Sequence, residues 1–185
     1  MGVEIASLDT EKSAEAMACR RFYDTARQEV LRDFAWPFAT AFATLGLLGS
    51  SPTEEWAYSY GYPSDCLEFR RIVSGTRNDT HQSRIPYRIV YGASARAIYC
   101  DRANAQAEYT ADVSETGRYP ADFVNALALR LAVYVAPRLT AGDPFKVGAR
   151  AAQLYSMAIT KAQANAANEE QVENLPESEF IRARE

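Results

Sequence analysis

Residues 56–62 have the sequence Trp-Ala-Tyr-Ser-Tyr-Gly-Tyr, with a large aromatic side chain at every second position. This alternation is typical of an extended strand, because successive side chains of a strand point to opposite faces of the sheet. Four short strand-like runs follow it, at 67–73, 87–91, 96–100 and 107–112. We therefore predict a small antiparallel sheet within a β-rich insertion that covers about residues 38–112.

The segments on either side of this region have a helical period instead. Apolar residues recur every four positions from Ala14 to Phe34, which predicts a helix over residues 9–35. Ser7 or Asp9 is expected to cap this helix, and Pro37 is expected to end it. Two further helices are predicted over residues 119–139 and 143–168, since Pro120 and Pro144 suit the first turn of a helix.

The pattern within the helices predicts which side chains are buried. In the first helix the apolar stripe includes Met17, whereas Arg27 lies off the stripe. Residues 123–135 are apolar on nearly all sides, which indicates a central buried helix. Large apolar side chains of the helices and of the segment after the first helix are expected in the core: Phe22, Trp36, Phe38, Phe123, Leu127 and Leu131.

These elements predict an α+β fold, in which a bundle of long helices carries a small inserted antiparallel sheet. Residues 1–168 are expected to form a single domain, and residues 169–185 an extended C-terminal arm without helical period. The arm holds six acidic and two basic residues, which accounts for the whole net charge of −4. The rest of the chain is electrically neutral, and this argues against nucleic acid as the main partner.

Residue types that carry chemistry are few and scattered. The chain has a single histidine, His81, within a polar stretch at 74–84 that predicts an exposed loop. No zinc, EF-hand or phosphate-loop spacing occurs, so neither a metal nor a cofactor is expected. Asp65 and Glu68 could act as the acid and base of a hydrolase. We favour structural roles for both, and no catalytic residue is expected.

Two further observations concern charge and compartment. The arginine doublets Arg20-Arg21 and Arg70-Arg71 could bind phosphate, although such arginines more often pair with acidic side chains. The three cysteines are widely spaced, which indicates reduced thiols in a cytosolic compartment: Cys19, Cys66 and Cys100. The N-terminus lacks a basic region followed by an apolar run, so no signal peptide is expected. The most apolar stretches, at 38–48 and 127–135, are too short for a membrane span.

Several stretches, taken in order, resemble one known family. The first helix closes with Leu31-Arg32-Asp33-Phe34-Ala35-Trp36-Pro37-Phe38-Ala39, and the block Trp56–Leu67 ends in Tyr62-Pro63-Ser64-Asp65-Cys66-Leu67. Then come Tyr109-Thr110, Tyr119-Pro120-Ala121-Asp122-Phe123 with Ala126-Leu127-Ala128 and Leu131-Ala132, and finally Ser178-Glu179-Phe180-Ile181-Arg182-Ala183-Arg184. The ordered set resembles the tail tubular protein A-like head-to-tail adaptors of short-tailed phages.

The resemblance implies a structural virion protein rather than an enzyme. Such adaptors form α+β subunits of a dodecameric ring that sits beneath the portal protein and holds the tail nozzle or tube. Duplex DNA then passes through the lumen without specific binding, and no membrane is involved. The ring would be assembled in the cytoplasm of the bacterial host and would lie in the neck of the virion.

The terminal block of the chain corresponds to the family's C-terminal motif. This likeness implies a portal-binding arm whose contact residues are Phe180, Ile181, Arg182, Ala183 and Arg184. Two alternatives stay open from the sequence: a virion-associated wall-degrading hydrolase that uses Asp65 and Glu68, and a small DNA-binding packaging factor that uses the arginine doublets.

Overall fold

The computed structural model describes residues 5–8, 10–76, 83–92, 95–139 and 144–169. Within these ranges the chain forms three helices and seven strands. The helices are α1 (Ala14–Asp33), α2 (Ala121–Leu139) and α3 (Pro144–Glu169). The strands are β1 (Thr40–Thr44), β2 (Leu47–Thr53), β3 (Trp56–Gly61), β4 (Cys66–Ile72), β5 (Tyr87–Tyr91), β6 (Arg96–Cys100) and β7 (Gln106–Ala111).

The strands form two antiparallel sheets, in the orders β1-β7-β4 and β2-β3-β6-β5. The chain passes from one sheet to the other between β1 and β2, where the Leu45 N–H donates to the carbonyl of Ala105. Side chains of both sheets meet in one buried cluster that includes Tyr60, Phe69 and Ile98. The aromatic alternation of β3 is explained by this cluster, because Tyr60 is buried opposite Ile98 of β6.

The predicted architecture is therefore wrong, although the protein combines helices and strands as an α+β fold does. It is not a bundle of long helices with one small inserted sheet, because the strands make two sheets with a core of their own. The strands at 40–44 and 47–53 were absent from the prediction. The sequences of these two strands have no regular alternation that would have predicted them. The pairing of β2 with β3 is also irregular, with a register shift between Leu47 and Gly49.

The start of α1 also differs from the prediction. Ser13 is the N-cap, since its side chain accepts a hydrogen bond from the N–H of Ala16. Ser7 lies upstream of the helix, and Asp9 lies outside the described residues. The predicted loop at 74–84 and the predicted arm at 169–185 fall partly outside the described ranges as well.

The three helices pack side by side, with α2 antiparallel to both neighbours. Near one end, Phe22 of α1 stacks on Tyr134 of α2, with 5.3 Å between the ring centroids. At the other end, the Asn165 amide of α3 donates to Asp122 at the start of α2, over 2.8 Å. The N-terminus of α1 consequently lies beside the C-terminus of α2, and α3 ends where α2 begins.

A second buried cluster joins these helices to the sheets. Trp36 is 2 % exposed, and its ring meets Phe123 edge-on at 5.1 Å. Phe123 and Leu127 are buried in the same cluster, and the half-buried Phe38 and Leu131 pack against it. Phe22 is half-buried and lies on Tyr134, outside the cluster.

The predicted burial of α2 as a central helix is wrong. Phe123, Ala126, Leu127 and Val135 are buried, but Val124 on another side of the helix is exposed. A helix that is apolar all round needs neighbours all round, and within the described residues α2 packs mainly against α1 and α3, with Trp36 and Phe38 covering Phe123 near its start. Part of its apolar surface, including Val124, is thus left uncovered by the part of the chain that the structure describes.

The predicted burial within α1 needs two corrections. Arg27, expected off the buried stripe, is 4 % exposed. Its guanidinium is held by the carboxylate of Asp112 and by the carbonyl of Val113, which follow β7. Burial alone would lower the pKa of Arg27, but the hydrogen bond and the charge of Asp112 raise the pKa above its usual value. Met17, expected on the stripe, is 53 % exposed, beside the exposed Leu139 that ends α2.

Candidate functional site

Asp65, one of the two acidic residues considered for hydrolysis, is held by contacts with β7 and the residue that follows it. The Tyr109 hydroxyl donates to the carboxylate of Asp65 over 3.1 Å, and the Asp65 carbonyl accepts from the N–H of Asp112. Burial and this contact with Asp65 raise the pKa of Tyr109 to about 12. Glu68 is exposed on β4. Asp65 therefore ties β7 to the turn before β4, which is a structural role.

Three of the four arginines of the two doublets are hydrogen-bonded within the subunit. The Arg70 guanidinium donates to the hydroxyl oxygens of Thr40 and Thr110, which links β4 to the other two strands of its sheet. The Arg71 guanidinium pairs with Glu108 over 2.6 Å. Arg20 donates to the carbonyl oxygens of residues 8 and 11, which holds the segment before α1. Each of these three arginines stabilises local structure through the contacts just described. Binding of a phosphate group by the same guanidinium would have to break those contacts.

Neither metal nor thiol chemistry gains support. Among the described residues, no group of His, Cys, Asp and Glu side chains could hold a metal ion. Cys66 and Cys100 are buried free thiols, and burial raises the pKa of both. His81 lies outside the described residues. None of the three described helices has both the length and the apolarity needed to cross a membrane.

Large apolar side chains are exposed where the two sheets begin. Phe42 of β1 is 65 % exposed, and Leu47 and Leu48 of β2 are 59 % and 64 % exposed. We call these three residues the edge surface, because β1 and β2 are each the outermost strand of their sheet. An outermost strand has unpaired backbone groups on one side and is a ready site for association with another chain.

A second apolar surface lies on the helices. Leu129 of α2 and Val147, Ala151 and Leu154 of α3 line a shallow groove, with Lys146 and Arg150 at its border. We call these four apolar residues the helical surface. Of these four, Val147 is exposed, Leu129 and Leu154 are half-buried, and Ala151 is buried at the base of the groove. Val124 of α2 and Met157 of α3 are exposed apolar side chains elsewhere on the same two helices. Exposed apolar groups that lie together mark interaction surfaces more often than isolated ones do.

A third feature is a groove between the start of α1 and the end of α2, which we call the arginine groove. Its floor is apolar, and three arginines surround it. Arg138 lies 5.1 Å and Arg21 5.9 Å from the centroid of the Phe22 ring, so both guanidinium groups are held by cation–π contacts. The groove is lined by Ala14, Met17, Ala18, Arg20, Arg21, Arg138 and Leu139.

The sequence did not predict these three surfaces as sites. The run at 38–48 was noted only as apolar, and its outward positions are decided by the sheet that β1 joins. Arg21 and Arg138 are far apart along the chain and meet only because α1 and α2 are antiparallel. The predicted contact residues at 180–184 lie outside the described ranges. Neither a protein-family model nor a curated protein matches the chain.

Proposed function

We propose that this chain is a head-to-tail adaptor of a phage virion, which forms a ring between the portal protein and the tail nozzle or tube. The observation that carries the proposal is the pair of apolar surfaces that the described residues leave uncovered, the edge surface on the strands and the helical surface on the helices. A ring of identical subunits needs two different surfaces that fit one another, since each copy contacts its two neighbours head to tail.

The remaining parts of the proposal agree with the charge distribution. Residues outside the acidic arm are electrically neutral in sum, so copies can lie close together without strong repulsion. A lumen that is not strongly basic lets duplex DNA pass without binding, because phosphate contacts would hold it. In this proposal the ring is a homododecamer in the virion neck, assembled in the host cytoplasm, and residues 180–184 bind the portal.

The two alternatives have weaker support from the contacts. A wall-degrading hydrolase would need Asp65 as a free carboxylate, but this side chain is bound by Tyr109. A DNA-packaging factor would need the doublet at 70–71 to face phosphate, but both side chains are bound within their own sheet. Measuring peptidoglycan hydrolysis and salt-dependent DNA binding by the full chain would test these alternatives.

Deletion of residues 175–185 should abolish stable attachment to portal rings. Phe180 and Ile181 are the large apolar groups of the terminal block, and burial of each contributes about 1.5–3 kcal/mol before ordering costs. The binding free energy that these two residues contribute in one copy is small. Because all copies of a ring attach at the same time, the attachment of the whole ring is much more stable than that of one copy. Co-sedimentation with purified portal, followed by electron microscopy of the complex, measures the attachment.

The double variant Phe180→Ala/Ile181→Ala should weaken attachment more than its control, Glu177→Ala/Glu179→Ala. Both variants change two residues of the same segment, so the comparison separates apolar contact from charge. Full attachment of the truncated chain would show that the arm does not bind the portal. A wild-type chain that forms no ring on the portal would contradict the adaptor function itself.

The two apolar surfaces should each be needed for ring formation. Leu48→Glu or Val147→Glu should reduce the fraction of portal rings that carry a complete adaptor ring by at least about tenfold, since a charge would replace a buried aliphatic group at every subunit contact. Thr53→Glu on β2 and Gln163→Glu on α3 are matched controls at exposed positions of the same elements. Unchanged melting temperatures would exclude misfolding. Normal rings from both surface variants would contradict the proposed contacts.

A further inference from the structure

The arginine groove has positive charge that no acidic side chain of the described residues neutralises. Among the described residues, no ion pair involves Arg20, Arg21 or Arg138. The floor between them is apolar, and Met17 and Leu139 are exposed there although both are large. Such a groove suits a ligand that combines negative charge with aliphatic side chains.

One segment of the chain has this composition. Residues 169–179 contain five glutamates and no basic residue, with Val172 and Leu175 between them. The glutamates precede the terminal block at 180–184, so this stretch and the block can bind different partners at the same time. The charge of the stretch is complementary to the groove, and its aliphatic residues match the apolar floor.

We propose that the acidic stretch 169–179 of one copy binds the arginine groove of a second copy. The inference rests on the proposed ring, in which copies lie side by side. The stretch would link each subunit to its neighbour, and residues 180–184 would continue to the portal. Arg21 and Arg138 would then pair with glutamates, while Met17 and Leu139 would cover Val172 and Leu175.

The arrangement of the helices favours binding between copies over binding within one copy. The groove lies beside Arg138, at the end of α2, whereas the acidic stretch begins at the opposite end of the helices, where Asn165 contacts Asp122. The sixteen residues from Asp122 to Arg138 and the four from Asn165 to Glu169, at about 1.5 Å each, separate the two places by about 30 Å. Glu169 is the last residue of α3, and the ten residues after it would span about 33 Å if extended, so nearly all of them would be needed to reach the groove of the same copy.

The lining of the groove favours an acidic peptide over duplex DNA. A DNA-binding surface presents an array of cations to phosphates and buries little aliphatic surface. Here four of the seven lining residues are apolar, and the guanidinium groups of Arg21 and Arg138 lie over the Phe22 ring. Methionine is also common at surfaces that bind apolar segments, because its side chain is flexible.

A labelled synthetic peptide with the sequence of residues 169–179 tests the site directly, by fluorescence anisotropy with the full chain. The peptide should bind, and Arg21→Glu/Arg138→Glu should weaken binding by at least about tenfold. The matched control Arg32→Glu/Lys161→Glu changes the net charge equally at exposed positions of α1 and α3, and should bind like the wild type. A peptide with glutamine at all five glutamates should bind weakly. No binding, or equal binding by the two variants, would overturn the proposal.

A charge exchange between copies distinguishes binding between copies from binding within one copy. Arg21→Glu/Arg138→Glu and Glu173→Lys/Glu177→Lys should each abolish the concentration-dependent rise of the sedimentation coefficient of the full chain. An equal mixture should restore part of it, because the unchanged acidic stretch of the first variant then meets the unchanged arginine groove of the second. A mixture that stays monomeric, or single variants that sediment like the wild type, would contradict the proposal.

Two further outcomes are informative. A labelled 20-base-pair duplex that binds the wild type and not Arg21→Glu/Arg138→Glu, while the peptide does not bind, would show that the groove is a nucleic-acid site and overturn the proposal. Neither assay contains portal protein, so failure of this inference is separate from failure of the adaptor function. Conversely, peptide binding without any attachment to portal would support the groove and contradict the adaptor.

Discussion

Replacing Trp36 by alanine should lower the free energy of unfolding by about 3–5 kcal/mol. The indole is 2 % exposed and lies between α1, α2 and the segment that leads into β1. Its Nε1–H donates to the carbonyl of Val30 over 2.7 Å, and its ring contacts Phe34 at 4.9 Å as well as Phe123. Alanine would leave a cavity where α1, α2 and the segment before β1 meet. These elements can fill the cavity only if they move closer to one another.

Thermal unfolding followed by circular dichroism measures this effect. For a chain of this size, each kcal/mol lowers the melting temperature by about 2–4 °C, so the expected fall is about 6–20 °C. The control Trp36→Phe keeps most of the volume and removes the hydrogen bond, and it should lower the free energy of unfolding by a smaller amount. A melting temperature that does not change in Trp36→Ala would show that the residue is not part of the core.

Replacing Asp112 by alanine should lower the free energy of unfolding by about 3 kcal/mol, because it leaves the buried guanidinium of Arg27 without its main partner. Arg27 is 4 % exposed, so water cannot readily replace the carboxylate. Asp112 also accepts a hydrogen bond from the amide of Gln28, over 3.0 Å. The pair joins the middle of α1 to the end of β7, which are far apart in the sequence.

Asp24 provides a matched control for this prediction, since it is the other carboxylate beside Arg27. It lies 3.6 Å from the guanidinium, but its side chain is 80 % exposed, against 29 % for Asp112. Asp24→Ala should therefore change the free energy of unfolding by less than about 1 kcal/mol. Urea unfolding of both variants gives the comparison. Equal losses from the two substitutions would contradict the assignment of Asp112 as the partner that compensates the buried charge.

Local sequence patterns were enough to predict most of the regular elements. Strand β3 was predicted because Trp56, Tyr58 and Tyr60 alternate, and the sheet does face Tyr60 inward. The helices were predicted near their observed ranges because their apolar residues recur with the helical period. The start of α1 was wrong because three residues near it can act as caps, and only the backbone path shows that Ser13 accepts the bond.

Contacts between distant residues could not be predicted in this way. Arg27 has the charge of a surface residue, and it is buried only because Asp112 and Val113 are brought beside it. Likewise, α2 is apolar on nearly all sides, but the number of elements that pack against it decides which sides remain exposed. Phe42, Leu47 and Leu48 are exposed because no described element covers their side chains, and which faces of a sheet are covered is a property of the whole fold.

The sequence by itself thus determined the helical and extended segments and the neutral charge of the chain before its acidic end. These follow from neighbouring residues, whose spacing sets which side chains share a face. Only the tertiary structure decided that the strands form two sheets, that Arg27 is buried, and that Arg21 and Arg138 meet at one groove. The physical reason is that burial and pairing depend on which surfaces cover one another, and residues far apart in the chain supply those surfaces.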